Sequence, residues 1–222
     1  MYWSNTFWTM KPVRRERMAE PRVLLTAFSP FGGETVNPAL EALRRVPGRV
    51  AGLEVVKLEV QVVFDTCTEA VMQAVRACRP LTVLCLGQAG GREELSLERV
   101  AVNLMDAERP DNAGRTPRGE PIDPEGPAAV FSTLPHRAML AALREAGIPA
   151  QLSDSAGTFV CNRLLYGLLR ALKTEFPAVR AGFLHVPFLP EQAVRHNSPI
   201  PGMAAQDVVR GVVRCLEALA ES

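Results

Sequence analysis

Few residues of this chain are placed to do chemistry. Cys161 sits in Ser155-Ala156-Gly157-Thr158-Phe159-Val160-Cys161-Asn162, just before a long apolar-periodic run. A cysteine at a helix start meets the positive end of the helix dipole and unpaired N–H groups, and both favour the reactive thiolate. His185 lies near the end of the apolar run Arg180 to Val186, and Glu98 lies upstream of both. Thiol, imidazole and carboxylate are the parts of a cysteine hydrolase. Each also has an ordinary alternative. A lone cysteine is most often a small buried hydrophobe. A histidine in an apolar strand is usually a satisfied structural residue, and Glu98 could be a solvent-facing strand carboxylate. His136 follows Pro135 at a helix start with no partner signal, and His196 sits in a polar segment that reads as surface.

Other chemistries fit worse. There is no G-x-x-x-x-G-K-[ST] phosphate loop, no G-x-G-x-x-G fingerprint and no H-E-x-x-H. The G-x-S-x-G serine elbow is half present at Ser155, with Ser153 in the place of its first glycine. No His or Cys pair has the spacing of zinc ligands, so no metal is expected. The five cysteines (Cys67, Cys78, Cys85, Cys161, Cys215) form no C-x-x-C and are odd in number. That argues against a disulfide framework and suits a reducing cytoplasm. Cys85, in an apolar strand, and Cys215, in the last helix, read as inert core residues.

The elements that must position these groups can be read from periodicity. Strands are predicted over 22–27, 53–63, 81–86, 97–104, 149–153 and 180–186. Helices are predicted from Asn37-Pro38 to Arg45, from Asp65-Thr66 to Cys78, over 135–146, from Cys161 through Leu172, and over 203–219. The Pro-, Gly-, Asp- and Arg-rich stretch 106–135 reads as one long loop, a length that is more often functional than idle. Strands alternate with helices, so the expected fold is a three-layer α/β/α sandwich with a mostly parallel, mixed sheet. In such folds functional groups gather where strands end. Phe28 and Phe31, Gln88, Cys161 and His185 each follow or end a predicted strand.

At 222 residues, 47% of them apolar, the chain fits one packed domain. A net charge of +1, from 25 basic and 24 acidic residues, gives no nucleic-acid footprint. No apolar run approaches the roughly 20 residues that span a bilayer, so no membrane partner is expected. Residues 1–17 lack the apolar core of a signal peptide and read as a non-essential N-terminal extension. Met18 is the alternative start, and 18–222 the catalytic domain.

Five segments carry a resemblance: LLTAFSPFGGETVNPA (24–39), GQAGGREELSLERVAVNL (87–104), PDNAG (110–114), AGTFVCNRLLYGLL (156–169) and FLHVPFLPEQ (183–192). In these, over nearly all of 22–192, the chain resembles the pyroglutamyl peptidase family of cysteine peptidases. The resemblance implies a Glu–Cys–His triad of Glu98, Cys161 and His185, with no cofactor. It implies hydrolysis of the amide bond after an N-terminal L-pyroglutamyl residue, through a thioester. The partners implied are peptides and proteins with a blocked pyroglutamyl terminus, and a homo-oligomer, tetramer or dimer, in the cytoplasm. Substrate-binding residues carried over are Phe28, Phe31, Asn37, Gln88, Arg109, Phe159 and Val160. Pyroglutamate is an uncharged lactam, so apolar walls with a few lactam partners suit it, and unpaired polar groups would reject proline. One departure stands out. Where relatives commonly read Ala-Arg-Ile-Pro-Asp-Asn, this chain reads Ala107-Glu108-Arg109-Pro110-Asp111-Asn112. A carboxylate at Glu108 facing the thiolate would raise the cysteine pKa; either Arg109 swings in to replace the missing cation or the loop shifts. A related amidohydrolase of another small amide, and a silent relative that only binds blocked termini, are the alternatives.

Overall fold

A computed structural model describes residues 20–195 and 199–222; the expected extension 1–17 and His196 lie outside the described residues. The chain runs β1 (Arg22–Phe28), α1 (Pro38–Arg45), β2 (Arg49–Val50), β3 (Leu53–Val60), α2 (Cys67–Cys78), β4 (Thr82–Gln88), β5 (Leu95–Glu98) and β6 (Val100–Val102). It continues with β7 (Ala129–Phe131), α3 (His136–Glu145), β8 (Ala150–Ser153), α4 (Val160–Glu175), β9 (Arg180–Val186), α5 (Pro190–Ala193) and α6 (Ala205–Ala220). Seven strands form one sheet in the order β2-β3-β1-β4-β9-β5-β8. Its centre, β3-β1-β4-β9, is parallel, while β5 and β8 run together against β9.

The central strands are nearly continuous apolar runs because both faces are covered. Alternation assigns each residue its face. Val23, Leu25, Leu84, Leu86, Leu95, Leu97, Leu184 and Val186 pack with α1, α3 and α6. Leu24, Phe28, Val83, Cys85, Ala181 and Phe183 pack with α2 and α4. The expected three-layer α/β/α sandwich with a mixed, mostly parallel sheet is therefore the observed one.

Three local expectations are corrected. The run 97–104 is not one strand. After Glu98 the chain leaves the main sheet, and β6 pairs antiparallel with β7, from within the stretch read as loop, in a second two-stranded sheet. β5 is buried on both faces and β6 on one, and the alternation of residue types runs on across the break, so it cannot show that they belong to different sheets. The strand read to Val63 ends at Val60. The third correction concerns the approach to Cys161. Because β8 runs against β9, Ser153 lies level with Glu98 and Phe183, short of the carboxyl end of β9. Residues 154–159 must turn back to reach α4, through Gly157 at φ +76°.

Candidate active site

Strand parity brings the chemistry to one face. His185 has the parity of Ala181 and Phe183, Glu98 is out of phase with Leu95 and Leu97, and Gly87 follows Val83 and Cys85, so all three face the α4 layer. Gly87 is the register partner of His185. A Cβ at Gly87 would lie 3.1 Å from Cys161 Sγ and 2.7 Å from the Phe183 ring. The missing side chain is what lets the thiol sit down on β4 beside His185.

Cys161 is the second residue of α4, whose N-cap Phe159 makes no side-chain cap hydrogen bond. The first turn is fixed from outside the helix instead. Asn162, fully buried, accepts from Val102 N at 2.9 Å and donates to Val102 O and Leu104 O at 2.9 and 3.0 Å. Thr158 Oγ1 donates to Asp106 O at 2.7 Å, and Asp106 N to Thr158 O at 3.1 Å. These bonds clamp the turn that bears Cys161 to the chain leaving β6.

His185, 3% exposed, donates from Nδ1 to Glu98 Oε1 at 2.7 Å. A carboxylate only accepts, so the proton is on Nδ1 and a neutral ring keeps Nε2 as a base. The His185 ring also packs against Phe183, with centroids 4.7 Å apart. Glu98 is fully buried behind it. Burial alone would raise its carboxyl pKa, but the hydrogen bond and charge of His185, with smaller contributions from Ser153 and Arg92, hold it below the usual carboxylate range. Burial pushes His185 down, against the pull of Glu98. The resting pair is an ionised carboxylate and a neutral imidazole.

The helix start favours a thiolate, and its surroundings oppose that. Burial, and next the negative charge of Glu98, push the Cys161 thiol up. Desolvation of a charged sulfur works against the helix end here. Cys161 and His185 line the same cavity, about 610 Å³ in volume. Phe31, Gln88, Glu108, Arg109 and Phe159 line it too. Phe31 and Phe159 form an aromatic wall, centroids 5.9 Å apart, and the Arg109 guanidinium stands 5.9 Å from the Phe31 centroid. Phe28 and Val160 are buried outside the cavity lining, and Phe28 packs on Phe183 at 6.3 Å. Asn37 is also buried outside it, with both polar side-chain atoms committed: Oδ1 accepts from Ala39 N and Nδ2 donates to Ser29 O.

Several residues escaped sequence reasoning. Arg92 donates from Nη1 to Glu98 Oε1 at 2.6 Å; it lay in a quoted motif, but its partner six residues on was not evident. Gln192, 1% exposed, ties Gln88, Glu34 and Val36 together from α5. His136, read as partnerless, donates from Nε2 to the Glu98 carbonyl at 3.2 Å. Asp111 organises its loop by accepting from Phe64 N, Ala113 N and Arg115 N. Among the described residues no group of three or more His, Cys, Asp or Glu side chains is placed to hold a metal ion, and no helix is long and apolar enough to cross a membrane.

A three-layer α/β fold in which a thiol and an imidazole share one cavity, with a carboxylate bound behind the imidazole, defines a cysteine hydrolase. Its family follows from comparison. The family model described as pyroglutamyl peptidase matches residues 21–222, and the chain belongs to that family. It is 50% identical over 198 residues to a pyrrolidone-carboxylate peptidase of Levilactobacillus brevis, covering 89% of this chain and 97% of that one. It is also 50% identical over 202 residues to a pyrrolidone-carboxylate peptidase of Streptomyces coelicolor, covering 90% and 93%. The crystal structure of pyroglutamyl peptidase I from Bacillus amyloliquefaciens superposes with a TM-score of 0.88 at 39% identity, over 91% of this chain and 98% of that one.

Proposed function

We propose that this protein removes N-terminal L-pyroglutamyl residues, with Cys161 as nucleophile, His185 as general base and acid, and Glu98 as the group that orients the imidazole. The observation that carries this is the 2.7 Å bond from His185 Nδ1 to Glu98 Oε1, which leaves Nε2 unprotonated beside the cavity that Cys161 lines. Burial and Glu98 favour the thiol over the thiolate, so His185 Nε2 takes its proton as Sγ attacks the pyroglutamyl carbonyl carbon. The tetrahedral oxyanion collapses to a thioester, the C–N bond breaks, and the imidazolium gives its proton to the departing amine. Water, deprotonated by the same Nε2, then cleaves the thioester, releases pyroglutamate and returns the proton to sulfur. Backbone N–H groups of the uncapped first turn of α4 are the natural oxyanion donors. Imidazolium formed in this step is stabilised by the buried carboxylate, as in other triads.

The lactam lies against Phe31 and Phe159, with Gln88 as a polar partner and Arg109 at the wall. Phe28 and Val160 back that wall, and Asn37 holds the β1–α1 connection that carries Phe31. Pyroglutamate brings no ammonium, so the aromatic wall of Phe31 and Phe159 suits its uncharged ring. The natural substrates are peptides and proteins with a pyroglutamyl terminus. The reading includes a cytoplasmic homo-oligomer, tetramer or dimer, for which exposed Phe131 and Val194 offer apolar surface, and a catalytic domain over 18–222 that works without residues 1–17. The test is release of a chromogenic amine from an L-pyroglutamyl amide, with a prolyl amide and a glutaminyl amide beside it. Turnover of the pyroglutamyl amide alone is expected; faster release from either other amide, or none at all from folded protein, overturns the reading.

A further inference from the structure

The carboxylate of Glu98 is fully buried, yet its two oxygens are treated unequally. Oε1 accepts from both His185 Nδ1 at 2.7 Å and Arg92 Nη1 at 2.6 Å. Oε2 makes no hydrogen bond among the described residues. The imidazole and the guanidinium therefore share one oxygen, and whatever one does to its charge the other feels. Arg92 spends its second terminal nitrogen elsewhere: Nη2 donates to Ser155 O at 3.0 Å, in the turn that leads to Cys161. One guanidinium thus joins the carboxylate behind the imidazole to the turn before the thiol.

A Glu–His pair does not need a third partner to orient the ring, so the cation has another consequence. It stands 27% exposed at the cavity wall, sheltered enough for its charge to be weakly screened. A carboxylate beside a Cys–His pair makes both groups harder to deprotonate, and a cation on that carboxylate offsets it. Both groups respond in that sense: Arg92 acts to lower His185 and Cys161 against the opposite pull of Glu98. The other arginine of the cavity, Arg109, lies over Phe31, and position 108 holds a glutamate. Arg92 is the cavity arginine hydrogen-bonded to Glu98.

Resting on the triad proposed above, we infer that Arg92 is a positioning residue of the hydrolysis. It fixes Glu98 Oε1 for His185, ties that carboxylate to the Cys161 turn, and sets the pH at which the Cys–His pair becomes competent.

The experiment compares wild type with Arg92→Gln and Arg92→Lys by two readouts against pH. One is kcat/KM for an L-pyroglutamyl amide. The other is the rate at which iodoacetamide alkylates Cys161, followed by mass spectrometry of its peptide. Removing the cation raises both pKa values, so the acid limb moves to higher pH whether it reports His185 or Cys161. Arg92→Gln is expected to lower kcat about 10- to 100-fold, the worth of a charged hydrogen bond, with KM little changed and both acid limbs moved up by about one unit. Arg92→Lys keeps the charge but cannot span both oxygens, so its limbs stay in place while kcat falls part of the way. An unshifted limb in folded Arg92→Gln overturns the inference, because a mere anchor of the loop would cost rate without moving it. Should the glutamine variant not fold, full wild-type kcat in Arg92→Lys overturns it equally. Alkylation needs no substrate turnover, so a shifted alkylation limb with no amine release would sink the peptidase reading and leave this one standing.

Discussion

Glu98 and Arg99 are consecutive residues that enter opposite worlds. Glu98 points into the sheet interior, is fully buried, and meets His185 and Arg92. Arg99 points out and meets Asp154 in a two-pronged pair, Nε to Oδ1 at 2.7 Å and Nη2 to Oδ2 at 2.5 Å, with side-chain exposures of 42% and 66%. By geometry alone the outer pair is the better ion pair. Water decides otherwise: exposed charges are screened, while a buried carboxylate imposes its field on every titratable neighbour. Arginine–carboxylate pairing is thus no mark of function; pairing where water is excluded, next to a thiol and an imidazole, is.

Substitutions on either side test this contrast, and the biggest change falls at the sulfur. Cys161→Ala is expected to reduce amine release by roughly 10⁴-fold or more, with folding intact. Wild-type activity in that variant would remove the nucleophile. On the buried side of the pair, Glu98→Gln should lower kcat by roughly 10³- to 10⁴-fold, because the imidazole loses its orienting charge. A loss confined to KM would show that Glu98 serves binding instead. Gly87→Ala should destabilise the fold by about 1–3 kcal/mol through overpacking and cut activity as well. Its methyl would press the Phe183 ring at 2.7 Å and Cys161 Sγ at 3.1 Å. Unchanged melting and rate would mean that β4 and α4 are free to separate. Smaller still is Glu108→Arg, at the cavity wall, where a cation should favour the oxyanion and raise kcat a few-fold, about 1 kcal/mol or less. A fall in rate would show that Glu108 binds substrate. On the exposed side, Asp154→Ala should leave kcat/KM and melting where they are, and a fall of about tenfold would erase the distinction drawn here.

The pH dependence carries the same contrast. Burial, with Arg92 adding to it, pushes His185 down against the pull of Glu98. If His185 acts as the base, the acid limb of kcat/KM is expected below the ordinary histidine value of about 6.5, since the imidazole stays neutral further into acid. A limb above that value would mean that the carboxylate dominates.

Much of this was legible in the chain. The apolar runs at 22–27, 81–86 and 180–186 marked buried strands, and period-two alternation places His185 and Gly87 on one face once strand ends are known. The register that pairs Gly87 with His185 was not legible, because strand order is a property of long-range contacts that no local pattern encodes. Asn162 and Arg92 were invisible for the same reason: their partners lie 60 residues upstream and across a turn. The break after Glu98 was hidden by alternation that continues through it.

The order of residues alone carries the elements, their apolar faces, the chemical types available for the reaction, and, through five motifs, the family. Long-range packing supplies the rest. It set the reversed direction of β5 and β8, which delivers Glu98 behind His185, and it set the surroundings that push the Cys161 thiol up. The helix start argued for a thiolate. Burial beside a carboxylate opposes that, because the free energy of a charge depends on everything packed around it, and only the folded chain specifies what that is.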